Sequence, residues 1–138
     1  MKEKIIKTLR WIGAVILPLP ILFLTYFIAS IIGFFQNPHR IMSTSHICFP
    51  DDFIIPGVAG FLSGAASVGI SRLLAPRFDK VLGWTVAAVV TAFEIFNLSC
   101  LALDWSDHSV LEICTIITSN ITCIIGAIYM AAYKTNKY

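Results

Sequence analysis

The chain has 138 residues, of which 57% are hydrophobic and only 13% charged. A soluble domain carries about 25% charged residues, so a water-soluble fold of this length lacks the charge to cover its surface. The net charge of +2 is no sign of a nucleic-acid partner, and it hides an uneven distribution along the chain.

Four apolar runs are long enough to cross a bilayer, which takes about 20 residues per helix. They fall at 11–35, 54–75, 81–103 and 110–133, with an outer loop at 36–53. None alternates with period two. Backbone groups in lipid have to be satisfied within their own segment, so helices are expected. The expected fold is therefore all-α: one domain over 1–138, with four transmembrane helices in an antiparallel bundle.

The stretch MKEKIIKTLR places Lys2, Lys4, Lys7 and Arg10 before the first run. That run is too long for the h-region of a cleaved signal peptide, about 7–15 residues, and reads as an uncleaved signal-anchor. It contains Pro18 and Pro20. Proline has no backbone N–H and clashes with the preceding turn, so a kink is expected near Leu17.

The outer loop reads QNPHRIMSTSHICFPDDF, with turn signals at Asn37-Pro38 and Pro50-Asp51. Asp51 or Asp52 is expected to cap the second helix, and Pro56 suits its first turn. The second run carries small residues at Gly57, Gly60, Gly64, Ser67 and Ser71, all on one helical face. Such a face lets another helix approach closely, either inside the bundle or between copies of the chain.

The link APRFDK is short, so the second and third helices should be neighbours, with Asp79 as a cap. The fourth run opens on Ser109-Val110-Leu111-Glu112, a capping-box pattern. With four crossings, Arg72, Arg77, Lys80, Lys134 and Lys137 join the four N-terminal cations on one side. Only Arg40 lies opposite. The positive-inside rule then puts both termini in the cytoplasm, and a bacterial inner membrane is the expected location.

Glu94 is the residue in the runs that most needs explaining. It falls near the middle of the third run, within about 3 Å of the bilayer midplane at about 1.5 Å per residue. An ionised carboxylate there costs several kcal/mol, so it has to face the interior, find a partner or stay protonated. Gly83, Ala87, Val90, Glu94, Asn97 and Leu101 share a face. In the fourth run Glu112, Thr115, Ser119, Thr122, Gly126, Tyr129 and Tyr133 share another, flanked by Asn120 and Cys123. These predict an intramembrane polar seam of Glu94, Asn97, Ser119, Asn120 and Thr122, with Glu94 bonded to Ser119, Asn120 or Thr122. The bland reading of the seam is interhelical glue. The functional readings are an ion or proton path, or a charged partner chain.

Nothing else points to chemistry. His39, His46 and His108 fall on the outer side with Cys48, but their spacing matches no metal-site pattern, so no metal is assigned. Cys48 is within chain reach of Cys100 or Cys114 for a disulfide. There is no CxxC, which disfavours thiol-redox catalysis. No cofactor motif is present, and no enzymatic activity is expected. The leading functional expectation is a protein that works by association in the lipid bilayer, with itself or with another membrane protein as a subunit of a complex. The alternative is a small proton- or cation-coupled transporter or channel using Glu94.

Overall fold

The computed structural model describes residues 2–36, 53–75, 79–105 and 110–133. They form five helices: α1 (Lys2–Ile16), α2 (Pro18–Gln36), α3 (Ile54–Leu74), α4 (Asp79–Leu103) and α5 (Val110–Ala132). No strand occurs among the described residues. Segments Ile54–Leu74, Lys80–Leu103 and Val110–Ala132 are long and apolar enough to cross a membrane. The bent pair α1–α2 supplies a fourth such segment if it is counted as one span.

The first apolar run is broken where its prolines stand. α1 and α2 meet at Leu17 with a bend of 49°. Hydrogen bonding continues on either side, from Leu17 N–H to Gly13 O (3.0 Å) and from Ile21 N–H to Leu17 O (3.1 Å). Pro18 has no N–H to offer the carbonyl of Ala14, which accepts a bond from the Ser71 hydroxyl of α3 instead (2.7 Å). A neighbouring helix thus satisfies the group that the proline orphans.

The start of α3 differs from expectation. Its N-cap is Phe53, which makes no side-chain cap bond, and Asp51 and Asp52 lie outside the described residues. Gly57 N–H donates to Phe53 O (2.9 Å) and closes the first turn through the backbone.

Helix α3 is the hub, touching each of the other four helices and packing most extensively on α5. Gly60 lies against Ser119, Gly64 against Cys123 and Gly69 against Met130, so α3 and α5 run in the same direction. The approach is backbone to backbone. A Cβ added at Gly60 would land on the carbonyl oxygen of Ser119, at Gly64 on that of Cys123, and at Gly126 on that of Phe61. Lipid tails are as apolar as leucine, so close van der Waals packing takes the place that hydrophobic burial holds in water.

The interior is accordingly small and polar while the surface is large and apolar. Ser63, Ser67, Ser71, Arg72, Glu94, Ser119 and Asn120 are buried, alongside a core of Leu22, Val68, Val86, Ala87, Val90, Cys123, Ala127 and Ala131. Phe23, Phe27, Leu62, Val89, Phe96 and Ile125 are exposed. Such an outside suits hydrocarbon, where apolar side chains need no cover.

Candidate functional site

Glu94 sits on the inner face of α4 at 1% exposure. Its face turns inward as the spacing implies: Gly83, Ala87, Val90 and Leu101 are also buried, and Asn97 is half-buried. The carboxylate accepts hydrogen bonds from the Cys123 thiol of α5 and the Asn97 amide of its own helix. Its Oε1 makes no hydrogen bond to any described residue.

Cys123 is itself the acceptor for Tyr26 of α2. The Tyr26 hydroxyl in turn accepts from Ser119 of α5 (3.0 Å). A connected line of proton-bearing groups therefore runs Ser119, Tyr26, Cys123, Glu94 across three helices. Their depth follows from helix periodicity: Ser119 and Cys123 are one turn apart on α5, and Tyr26 packs against the core from α2.

The partners differ from those expected from sequence. Glu94 bonds Cys123 and Asn97 rather than Ser119, Asn120 or Thr122. Thr122 returns its hydroxyl to Thr118 O (2.8 Å) and Ser119 O (3.1 Å). Asn120 donates through Nδ2 to Ile116 O (2.7 Å), the usual way a short polar side chain is satisfied within its own helix. Asn120 Oδ1, like Glu94 Oε1, is buried and bonds no described residue. Cys123 was seen from sequence only as a flanking residue, and Tyr26 was missed. The one available signal was that Tyr26 is the only tyrosine in the first apolar run.

The small-residue face of α3 divides between neighbours. Gly57, Gly60 and Gly64 meet α5, where Gly57 faces the Thr118 and Thr122 methyl groups at ordinary contact distance. Ser67 donates to Ser63 O (2.7 Å) within α3, and Ser71 reaches α1. All five are buried within this one chain.

Arg72 is buried as well, at 2% exposure. Sequence treated it as an end charge. Its Nη1 donates to the carbonyls of Met130, Ala131 (3.4 Å) and Tyr133 (2.8 Å), capping the C-terminus of α5. A cation there meets the negative end of the helix dipole and the carbonyls that no helical N–H can reach. Gly83 makes room for it: an added Cβ would lie 2.7 Å from Arg72 Cδ.

Cys100, Cys114 and Cys123 are free thiols, and Cys48 lies outside the described residues. His39, His46 and His108 also lie outside them, as does Ser109 of the expected capping box. Among the described residues no group of three or more His, Cys, Asp or Glu is placed to hold a metal. On the outer face of α4 a groove of about 390 Å³ is lined by Trp84, Ala88, Thr91, Ala92, Ile95 and Ile128. No known protein family, curated protein or solved structure matches this chain.

Proposed function

We propose that this chain is a four-span protein of a bacterial inner membrane whose working site is Glu94, taking up and releasing a proton or small cation. The spans form an antiparallel bundle with both termini cytoplasmic, as the clustering of nine of the ten Lys and Arg residues at one end favours. The observation that carries the reading is the line of groups from Ser119 through Tyr26 and Cys123 to a buried carboxylate with one oxygen that bonds no described residue. Acids inside membranes are costly to bury and therefore rare, and those present mark ion and proton paths. No covalent chemistry is assigned to the chain.

The test is flux into proteoliposomes, read with a pH-sensitive dye and with monovalent cation tracers. Wild type should conduct, and Glu94→Gln should abolish conduction while the thermal midpoint in detergent is kept. Equal flux in the two proteins removes Glu94 from the mechanism.

A second reading is association, with this chain as a homo-oligomer or a subunit of a complex. The glycines of α3 are occupied by α5, so the contact falls elsewhere. The groove on α4, whose lining includes the small residues Ala88, Thr91 and Ala92, is the surface that favours it. Native mass after gentle extraction tests this reading. A larger particle that Ala88→Leu dissociates supports it, and a single chain in both samples argues against it.

A further inference from the structure

Helix α1 differs in kind from the other four. Every residue from Lys2 to Ile12 is exposed, whereas Gly13 packs on Leu74 of α3 and Ala14 is buried and bonded to Ser71. The 49° bend at Leu17 takes α1 off the line of α2. Ile5, Leu9, Ile12 and Ile16 follow 4, 3, 4 spacing and form one exposed apolar stripe. On the opposite side Glu3, Lys7, Arg10 and Ala14 repeat that spacing, and Ala14 is the residue that faces α3.

The two stripes fix the sense of the helix. The basic side continues the side that faces the bundle, and the apolar side looks away from it. A helix leaning outward from the bundle turns its bundle side toward water and its outer side toward lipid. Residues 2–13 make a segment of about 18 Å; at this bend its far end departs along α2 by only about 12 Å. That excursion exceeds the headgroup layer, roughly 5–8 Å deep beyond the hydrocarbon, by about one to two turns of α1, so Lys7 and Arg10 fall within the layer and the first residues reach past it. Four cations, Lys2, Lys4, Lys7 and Arg10, stand against one acid, Glu3. Trp11 lies at the boundary, where tryptophan is enriched.

We infer that α1 is an interfacial helix that docks on anionic lipid headgroups of the cytoplasmic leaflet, with Ile5, Leu9, Ile12 and Ile16 in the acyl boundary and Lys4, Lys7 and Arg10 among the phosphates. α2 alone, 19 residues long, then forms the first crossing. The inference rests on the membrane topology proposed above. Amphipathic basic helices bind such surfaces by apolar insertion plus charge. Each cation near an anionic surface strengthens binding about fivefold.

The test uses the full chain in lipid nanodiscs, with Trp84→Phe and Trp105→Phe leaving Trp11 as the sole reporter; both replaced residues are exposed. Discs of phosphatidylcholine are compared with discs that also contain phosphatidylglycerol. Anionic lipid should lower acrylamide quenching of Trp11 about twofold or more and raise quenching by lipids brominated near the headgroup. The Lys4→Gln/Lys7→Gln/Arg10→Gln variant should lose that dependence. Equal acrylamide quenching in both discs overturns the proposal, because the seat of α1 then does not depend on anionic headgroups. Strong quenching by deeply brominated lipid, whatever the lipid charge, overturns it by making α1 part of the span. Failure of the chain to enter discs at all sinks the membrane topology as well, which separates the two failures.

Discussion

The hydroxyl of Ser71 donates to the carbonyl of Ala14 at 2.7 Å, across two helices and beside the proline that left that carbonyl without a helical donor. The kink between α1 and α2 and the last turn of α3 are therefore one structural unit. Interhelical bonds of this kind are worth about 0.6–2 kcal/mol in membranes. Ser71→Ala should destabilise the protein by that amount. In a Pro18→Ala background, where residue 18 regains its N–H, the same change should cost much less. A double-mutant cycle on reversible unfolding in mixed micelles measures the difference; equal costs in both backgrounds would separate the serine from the kink.

The glycines of α3 should not be equivalent. An added methyl at Gly57 meets only the Thr118 and Thr122 methyl groups at 3.6 and 3.7 Å. At Gly64 it meets backbone of α5, which cannot yield locally. Gly64→Ala should cost about 1–3 kcal/mol, in line with overpacking of a tight core, while Gly57→Ala stays near neutral. Thermal midpoints of the two variants decide this.

Arg72 should matter to α5 rather than to topology. Hydrogen bonds from a charged donor are worth about 1.5–3 kcal/mol each, and Arg72→Ala removes the donor to the Met130, Ala131 and Tyr133 carbonyls. The loss should be at least that large, and Arg72→Lys should restore only part of it, because the lysine ammonium ends one bond short of the Nη1 position from which all three bonds run. Faster amide exchange confined to the last turn of α5 would mark the cap. Unchanged exchange there would remove Arg72 from that role.

Much of the helical layout was legible because lipid-length apolar runs leave the backbone few alternatives. The runs at 54–75 and 110–133 end within a residue of α3 and α5, and Pro18 marked the break. Inward faces on α4 followed from residues three and four apart. What escaped was pairing between helices. A period of 3.6 gives the face of Glu94, but which residue stands opposite depends on the relative shift of α4 and α5, which periodicity within one helix does not fix. Hence Cys123, one turn beyond Ser119, takes the bond expected of its neighbours. Arg72 escaped for a related reason: near a run's end it reads as a solvated charge, and only the arrival of the α5 carbonyls makes it a cap.

The function proposed for this chain requires Glu94 to be a carboxyl that exchanges its proton inside the bundle. Infrared spectra of wild type and Glu94→Gln in lipid, recorded over a pH series, address that directly. A protonated-carboxyl carbonyl band should be present only in wild type, fade reversibly as pH rises and shift in frequency in Cys123→Ser. A Glu94 band that stays constant across the whole range in which the chain remains folded would contradict that function, and would make the seam fixed glue between helices.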